Sequence, residues 1–515
     1  MRQVLMVRGR ILGGTVAGLI VLALACTRSP IVKISPDADA DWHPATGTND
    51  WDDPDGADTG AGGDTGGGAD SGQPEEPDCE ELPPSTWTLV PQDTNGMATP
   101  VQARASVLEG WRMLDHVSIR AYEFLNYYRF NHPHPEQGQL ALTAQIREVE
   151  DDRFSLHLAI TSPLVENDER PPLNLVLSVD SSGSMGGHDL DMARAVLMAV
   201  AGRLRPGDVV SVVSWDQDHH VLLDRHAVAM PYDLDLVQAI ASVETGGATD
   251  LASGLKESYR LAEAGWMDDG LNRVLVVTDG KTNLGLTDVA LVGAMAGDRG
   301  AYGIHLAAVG VGDPLDYHDG MVDSLSQWGQ GPGLFVADAD DVRALIHDRF
   351  VELFDVAALD LSLELTLPPG FERADMEPDP RRGLPITFTP AQHLSPNRSL
   401  VLQQALSTRC FMQALDGAPL SARVSWIDPD TLERRSVEAN WTIGGLKTYD
   451  DANLRKSEAI VAYAEALKLS KSTSSPEAAA QALAMAQEKV RMARQEEPSD
   501  PELADIEAVL DALAR

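Results

Sequence analysis

The sequence predicts an α/β protein whose centre is a doubly wound, mainly parallel sheet, with a flanking β domain and C-terminal helices. Three observations predict it. Near-continuous apolar runs of strand length recur after residue 172: "LNLVLSV" from Leu173, "DVVSVVSW" from Asp208, "RVLVVTD" from Arg273 and "IHLAAVGVG" from Ile304. Between them lie helix-like segments, "DLDMARAVLMAVAGRLR", "DLASGLKESYRLAEAG", "TDVALVGAMAG" and "DDVRALIHDRFVELF". Strands apolar on both faces and joined by helical crossovers belong in a parallel sheet covered on both sides. "HHVLLDRH", close behind Trp215, reads as the exception, an antiparallel edge strand. Thirdly, "LDLSLELTLPPG", "RSLVLQQAL" and "ARVSWID" alternate with period two and predict a β domain over residues 357–447.

At the N-terminus, Arg2, Arg8 and Arg10 precede an apolar stretch from Ile11 that ends at Cys26, the layout of an export signal over residues 1–25. The "ALAC" ending resembles a bacterial lipoprotein box, although Ala23 stands where leucine is usual. That resemblance implies cleavage before Cys26 and a lipid on its sulfur. Residues 26–85 are rich in Gly, Asp and Pro, and no basic residue occurs between Lys33 and Arg104. Such one-signed, weakly apolar chain cannot offset its ordering entropy and is expected to be a tether. "DADAD" at Asp37–Asp41 begins like a calcium loop, but Trp42 stands where glycine is required, and a spacer is the expectation. An exported location permits a disulfide between Cys79 and Cys410.

Residues 86–171 read as a mixed region. "VLEGWRMLDHVSIRAYEFLNYYRF" has helical spacing, and "LALTAQIREVEDDRFSLHLAI" reads as a hairpin turning at Glu150–Asp152. His132 and His134, in a proline-rich loop with no further ligand, are expected at the surface. Residues 172–356 hold the parallel sheet. The chain closes in helices over 448–515, with Ser475–Pro476 and Asp500–Pro501 as helix starts.

The net charge of -39 excludes a nucleic-acid partner, which needs clustered Lys and Arg to displace counterions. A nucleotide is excluded too, because "VVTDGKTN" has Leu275 where a phosphate loop needs its first glycine. A serine hydrolase built on Ser184 fails for lack of G-x-S-x-G.

The remaining chemistry lies at the strand ends. Asp180, Ser182 and Ser184 alternate just past the first strand of the sheet, Asp279 follows another, and Thr249 opens a helix from the glycine-rich "TGGATDLASGL". Ligands of doubly wound sheets sit beyond the carboxyl ends of the strands. Five oxygen donors without imidazole or thiolate suit Mg²⁺, with Mn²⁺ or Ca²⁺ as alternatives, and not zinc. Asp250, after Thr249, either adds a carboxylate to the site or caps the helix.

Here the sequence resembles the von Willebrand factor A domain family over residues 172–356. "DSSGS" matches its D-x-S-x-S metal-ion-dependent adhesion site, with Thr249 and Asp279 at the family's threonine and second aspartate. The resemblance implies a Rossmann-like fold in which Ser182, Ser184 and often Thr249 bind the ion directly, and Asp180 and Asp279 act through water. It also implies a free coordination position for a carboxylate of a protein partner. "YEFLNYYRFNHPHPE" further resembles the segment preceding this domain in a bacterial subfamily of exported A-domain proteins. The expected protein is a lipid-anchored envelope component, in the periplasm or at the outer membrane, that binds a partner's Asp or Glu and is not an enzyme. A metal-assisted hydrolase and a structural envelope protein whose ion only stabilises the fold are the alternatives.

Overall fold

The structure is a computed structural model that describes residues 84–89, 95–108, 114–150, 152–281, 303–317, 319–373, 393–408, 416–447, 451–471 and 475–515. The leader, Cys26, nearly all of the tether, Cys79, Cys410 and the segment 287–297 expected to be helical lie outside the described residues. Among the described residues no helix is long and apolar enough to cross a membrane.

The first strands are β1 (Ser85–Leu89) and the hairpin β2 (Ala141–Glu150) and β3 (Arg153–Thr161). Next come β4 (Leu173–Asp180), β5 (Val209–Trp215), β6 (His219–Ala227), β7 (Leu271–Thr278), β8 (Ile304–Val311) and β9 (Gln330–Val336). These six form one sheet in the order β6-β5-β4-β7-β8-β9, parallel except for β6, which runs antiparallel along the edge as expected. Every residue of β4 is buried, the signature of a strand covered on both faces. Helices His188–Ala201, Leu234–Ala241, Leu251–Ala264 and Asp319–Gly329 contribute to its core. Helix Leu251–Ala264 packs so tightly on β5 that a Cβ on Gly254 would lie 2.3 Å from Trp215 Cγ.

Strand β9, "QGPGLFV", was not expected, because Gly331, Pro332 and Gly333 hide it. The glycine is required: a Cβ on Gly331 would lie 2.2 Å from the Leu306 carbonyl oxygen. "DDVRALIHDRFVELF", expected to be one helix, is a short α-turn (Ala339–Asp341), a π-helical stretch (Val342–His347) and a five-residue helix (Phe350–Phe354).

Strands β10 (Leu359–Leu367), β11 (Phe371–Arg373), β12 (Ser399–Thr408), β13 (Pro419–Ile427) and β14 (Arg434–Thr442) follow. They complete two antiparallel four-stranded sheets, β1-β10-β13-β14 and β11-β12-β3-β2. The sheets therefore join segments on both sides of the boundaries expected at 86–171 and 357–447. β1 pairs with β10 and β3 pairs with β12, so the two segments form one sandwich with the parallel-sheet domain inserted between them. The reason is burial on both faces of β3. Phe154, Leu156, Leu158 and Ile160 pack into a core shared with Leu363, Leu365, Leu420 and Val424, while the alternate residues His157 and Ala159 face the C-terminal helices. A lone hairpin could bury neither face.

Helices Ala452–Lys471, Pro476–Glu496 and Pro501–Leu513 pack with helices Ala98–Leu108 and Ala121–Tyr127, with Phe124 meeting Tyr463 edge to face at 5.4 Å. Among the described residues of the stretch 107–130, the end of the first of these two helices and the whole of the second are helical, and Leu114 and Val117 are buried from non-helical backbone. Asp500 caps its helix by accepting from the amides of Glu502 and Leu503, whereas Ser475 occupies the cap position without a side-chain cap bond. His134 is exposed as expected, but His132 is buried. It lies against His157, their Nε2 atoms 3.1 Å apart, under the helix that begins at Ala452.

Candidate metal centre

In a parallel sheet all the strands end on one side, and register decides which ends meet. Val179 lies opposite Val277 and Asp180 opposite Trp215, so the β4 and β7 termini are level. Asp180 thus stands beside Thr278, whose Oγ1 donates to Asp180 Oδ2 at 2.7 Å. Asp180 Oδ1 accepts from the Ser182 amide at 2.9 Å, which folds the following turn back over the carboxylate. The turn leaves Ser182 Oγ and Ser184 Oγ 3.1 Å apart, the first residue buried and the second exposed.

A second loop closes on the first. The Gly246 amide donates to the Ser181 carbonyl at 2.7 Å, and the Gly183 amide donates to the Gly247 carbonyl at 3.0 Å. Asp216, just past β5, anchors this loop: its Oδ2 accepts from the Gly247 amide at 3.1 Å and its carbonyl from the Asp250 amide at 2.6 Å. A Cβ at 246 would lie 2.0 Å from Asp216 Oδ2, so any larger residue would displace that carboxylate. Thr249, half-buried, lies on the short span between these anchors. Asp250 resolves to the capping alternative, its Oδ1 accepting from the Ser253 amide at 3.0 Å.

Asp279 is buried at the end of β7, before Gly280, whose φ of +74° turns the chain away. Its Oδ1 accepts from the Lys281 amide at 2.9 Å. Its Oδ2 is buried without a hydrogen-bond partner among the described residues. Among the described residues the nearest cation is the Lys281 ammonium, 3.9 Å from that oxygen, 3.6 Å from Asp189 and 3.9 Å from Asp316. Burial pushes the Asp180 carboxyl up to about 6; the bonds from Ser182 and Thr278 oppose that shift and the neighbouring charge of Asp279 adds to it.

These residues fit a hard divalent cation. Every donor is oxygen, a buried carboxylate oxygen lacks a hydrogen-bond donor among the described residues, and the exposed Ser184 and the exposed stretch 244–248 leave the rim open to solvent. Sequence reasoning missed Thr278 and Asp216. Thr278 becomes visible only through register; Asp216 carried a local signal, since "DQD" forms a turn in which Asp216 Oδ1 accepts from the Asp218 amide at 2.9 Å.

Another group of donors lies at the far end of the sheet. His226, Asp233 and Asp235 bring ligand atoms within 4.8 Å of one another. His226 pairs with Val210 near the start of β5, whereas Asp180 is level with its end. Helix capping accounts for this cluster: Asp233 accepts from the amides of Ala229 and Asp235 and from His226 Nε2 at 2.9 Å.

Residues 175–281 match the family described as "von Willebrand factor type A domain", a span that includes Asp180, Ser182, Ser184, Thr249 and Asp279. The similarity to a von Willebrand factor type A domain thus covers the strand ends that carry all five residues. Among curated relatives, the Escherichia coli (strain K12) "Uncharacterized protein YfbK" is 24% identical over 222 residues, 43% of this chain and 38% of that protein. The Synechocystis sp. "Uncharacterized protein sll0103" is 25% identical over 224 residues, 43% of this chain and 51% of that protein. The chain therefore matches about half or less of these relatives' lengths. Among solved structures, a von Willebrand factor type A protein from Catenulispora acidiphila is similar with a TM-score of 0.44 and 14% identity, covering 70% of this chain and 87% of that one. BatB from Bacteroides thetaiotaomicron has a TM-score of 0.29 and 17% identity, covering 35% of this chain and 97% of that one.

Proposed function

We propose that this protein binds other proteins in a divalent-cation-dependent way, taking an Asp or Glu side chain of the partner at the rim formed by Asp180, Ser182, Ser184, Thr249 and Asp279. The observation that carries the reading is the buried Asp279 Oδ2, without a hydrogen-bond donor among the described residues, beside a second buried carboxylate, Asp180, that none of their cations neutralises. Those five residues would hold the ion, Mg²⁺ in the first instance. Bound there, the ion supplies a Lewis-acidic position for a carboxylate oxygen. The chain's own part is to hold the donors still. Thr278 fixes the Asp180 carboxylate, the Ser182 amide fixes the turn, and Asp216 fixes the Thr249 loop.

The role is binding and not catalysis, and the place is the cell envelope, with a lipid on Cys26 as the membrane attachment. The leader composition supports that placement. Titration calorimetry of the purified protein with Mg²⁺, Mn²⁺ and Ca²⁺ tests the site. Wild type is expected to bind and Asp180→Ala to lose binding; equal heats from the two reject the reading. Metal-dependent turnover in a hydrolytic screen, abolished by Asp180→Ala, would move the protein to the enzyme class.

A further inference from the structure

A cavity of about 290 Å³ lies where three parts of the chain meet. Its walls come from the segment after helix Ala121–Tyr127, from the end of the inserted domain around Arg349, and from Arg398 at the entry to β12, with the loop around Leu164 at the side. Three guanidinium groups, Arg129, Arg349 and Arg398, line it. In a chain with 79 acidic and 40 basic residues, that convergence calls for a cause.

Arg398 is 7% exposed, and its Nη2 donates to the Asn126 carbonyl at 2.7 Å. Its Nη1 is buried without a hydrogen-bond partner among the described residues. Burial brings this guanidinium down to about 10; Glu352 opposes the shift, and the like charges of Arg349 and Arg129 add to it. Arg349 is also buried, and its carboxylate contact is Glu502, 4.0 Å away. Its Nη2 donates to the Tyr127 carbonyl at 2.8 Å, and its guanidinium stacks on the Tyr127 ring at 5.4 Å. Arg129 is half-exposed and pairs with the buried Glu352 at 2.7 Å. Two further carboxylates, Asp348 and Glu166, line the cavity from exposed positions, and Asp348 is engaged by His347. The buried part of the wall therefore holds more positive charge than Glu352 neutralises.

We propose that this cavity binds a small oxyanion, a phosphate or a short carboxylate, through Arg398 and Arg349, with Arg129 at the mouth. Planar guanidinium donors match the paired oxygens of such ions, and a buried N–H without an acceptor is costly unless a ligand or water supplies one. The volume, at the small end for ligand sites, limits the guest to a few non-hydrogen atoms beyond the anionic group. Because the walls belong to the inserted domain, the sandwich and the N-terminal segment, a bound anion ties the three together.

The test is titration calorimetry and thermal unfolding of the full chain, without divalent cations, using inorganic phosphate and succinate against sodium chloride at equal ionic strength. Wild type is expected to bind one of the two anions saturably and to gain thermal stability beyond the chloride control; which anion does so identifies the class. Arg398→Met should weaken binding by roughly tenfold or more, the size of a lost charged hydrogen bond. Arg129→Gln, at the exposed mouth, should weaken it less and settles the matter if Arg398→Met does not fold. Asp180→Asn should bind the anion as wild type does. Absence of binding above the chloride control, or unchanged affinity in the folded arginine variants, overturns the proposal.

Discussion

The two ends of the parallel sheet treat a buried aspartate in opposite ways. At the start of β5, Asp208 accepts from Arg170 Nη1 and Nη2 at 2.8 and 2.6 Å, from the Leu173 amide at 2.9 Å and from the Arg205 amide at 2.9 Å. Both side chains of that ion pair are fully buried. At the end of β4, Asp180 has two neutral donors and no cation among the described residues, and Asp279 beside it leaves an oxygen without a described hydrogen-bond donor, with the Lys281 ammonium 3.9 Å away and shared with Asp189 and Asp316. The Asp208 end is saturated and locks the chain's entry into the domain. The Asp180 end is under-supplied with positive charge. A carboxylate surrounded by donors is a structural device; one buried with donors missing is a position for something else.

The sharpest way to break this contrast is to remove a charge from each end. Arg170→Met leaves Asp208 buried without its counter-ion and should cost about 3–5 kcal/mol in urea unfolding. Asp180→Asn, measured without divalent ions, should leave stability unchanged or raise it, because its charged form is already disfavoured by burial. Equal destabilisation by the two would erase the distinction.

The sandwich extends the contrast to a neutral buried pair. Burial brings His132 down to about 4 and His157 down to about 3, with each depressed further by a neighbouring histidine. The unfolded chain titrates near 6.5, so below that pH it binds protons that the folded chain refuses. Stability is complete above about pH 6.5 and falls as the pH drops towards the folded values, by about 1.4 kcal/mol per pH unit for each histidine. His157→Gln should flatten the acid limb of a stability-against-pH curve relative to wild type; superimposable curves would show that the pair is not held neutral.

The smallest effect belongs to Asp250. As a helix cap it should cost about 1 kcal/mol on substitution to alanine, while divalent binding in calorimetry stays as in wild type. Loss of the ion response in Asp250→Ala would place that carboxylate in the site instead.

Much of this was legible from local pattern. Strands β4, β5, β7 and β8 announced themselves as apolar runs, the edge strand β6 was read correctly, and the alternation of Asp180, Ser182 and Ser184 is visible within five residues. What escaped had no local signature. Strand β9 hides its period behind a proline and two glycines, one of which, Gly331, a neighbouring backbone demands. His132 was expected in solvent because nothing near it in sequence indicates the helix, more than 300 residues later, that covers it.

By itself, then, the sequence determined the alternation of strands and helices and the chemistry offered at one strand end. Apolar periodicity and residue type are properties of short stretches, and short stretches can be read directly. Tertiary structure alone decided that β3 pairs with β12, that Thr278 holds Asp180, and that Arg129, Arg349 and Arg398 share a cavity. Those outcomes depend on which distant surfaces bury each other, a balance of packing and chain entropy summed over the whole molecule that no local stretch encodes.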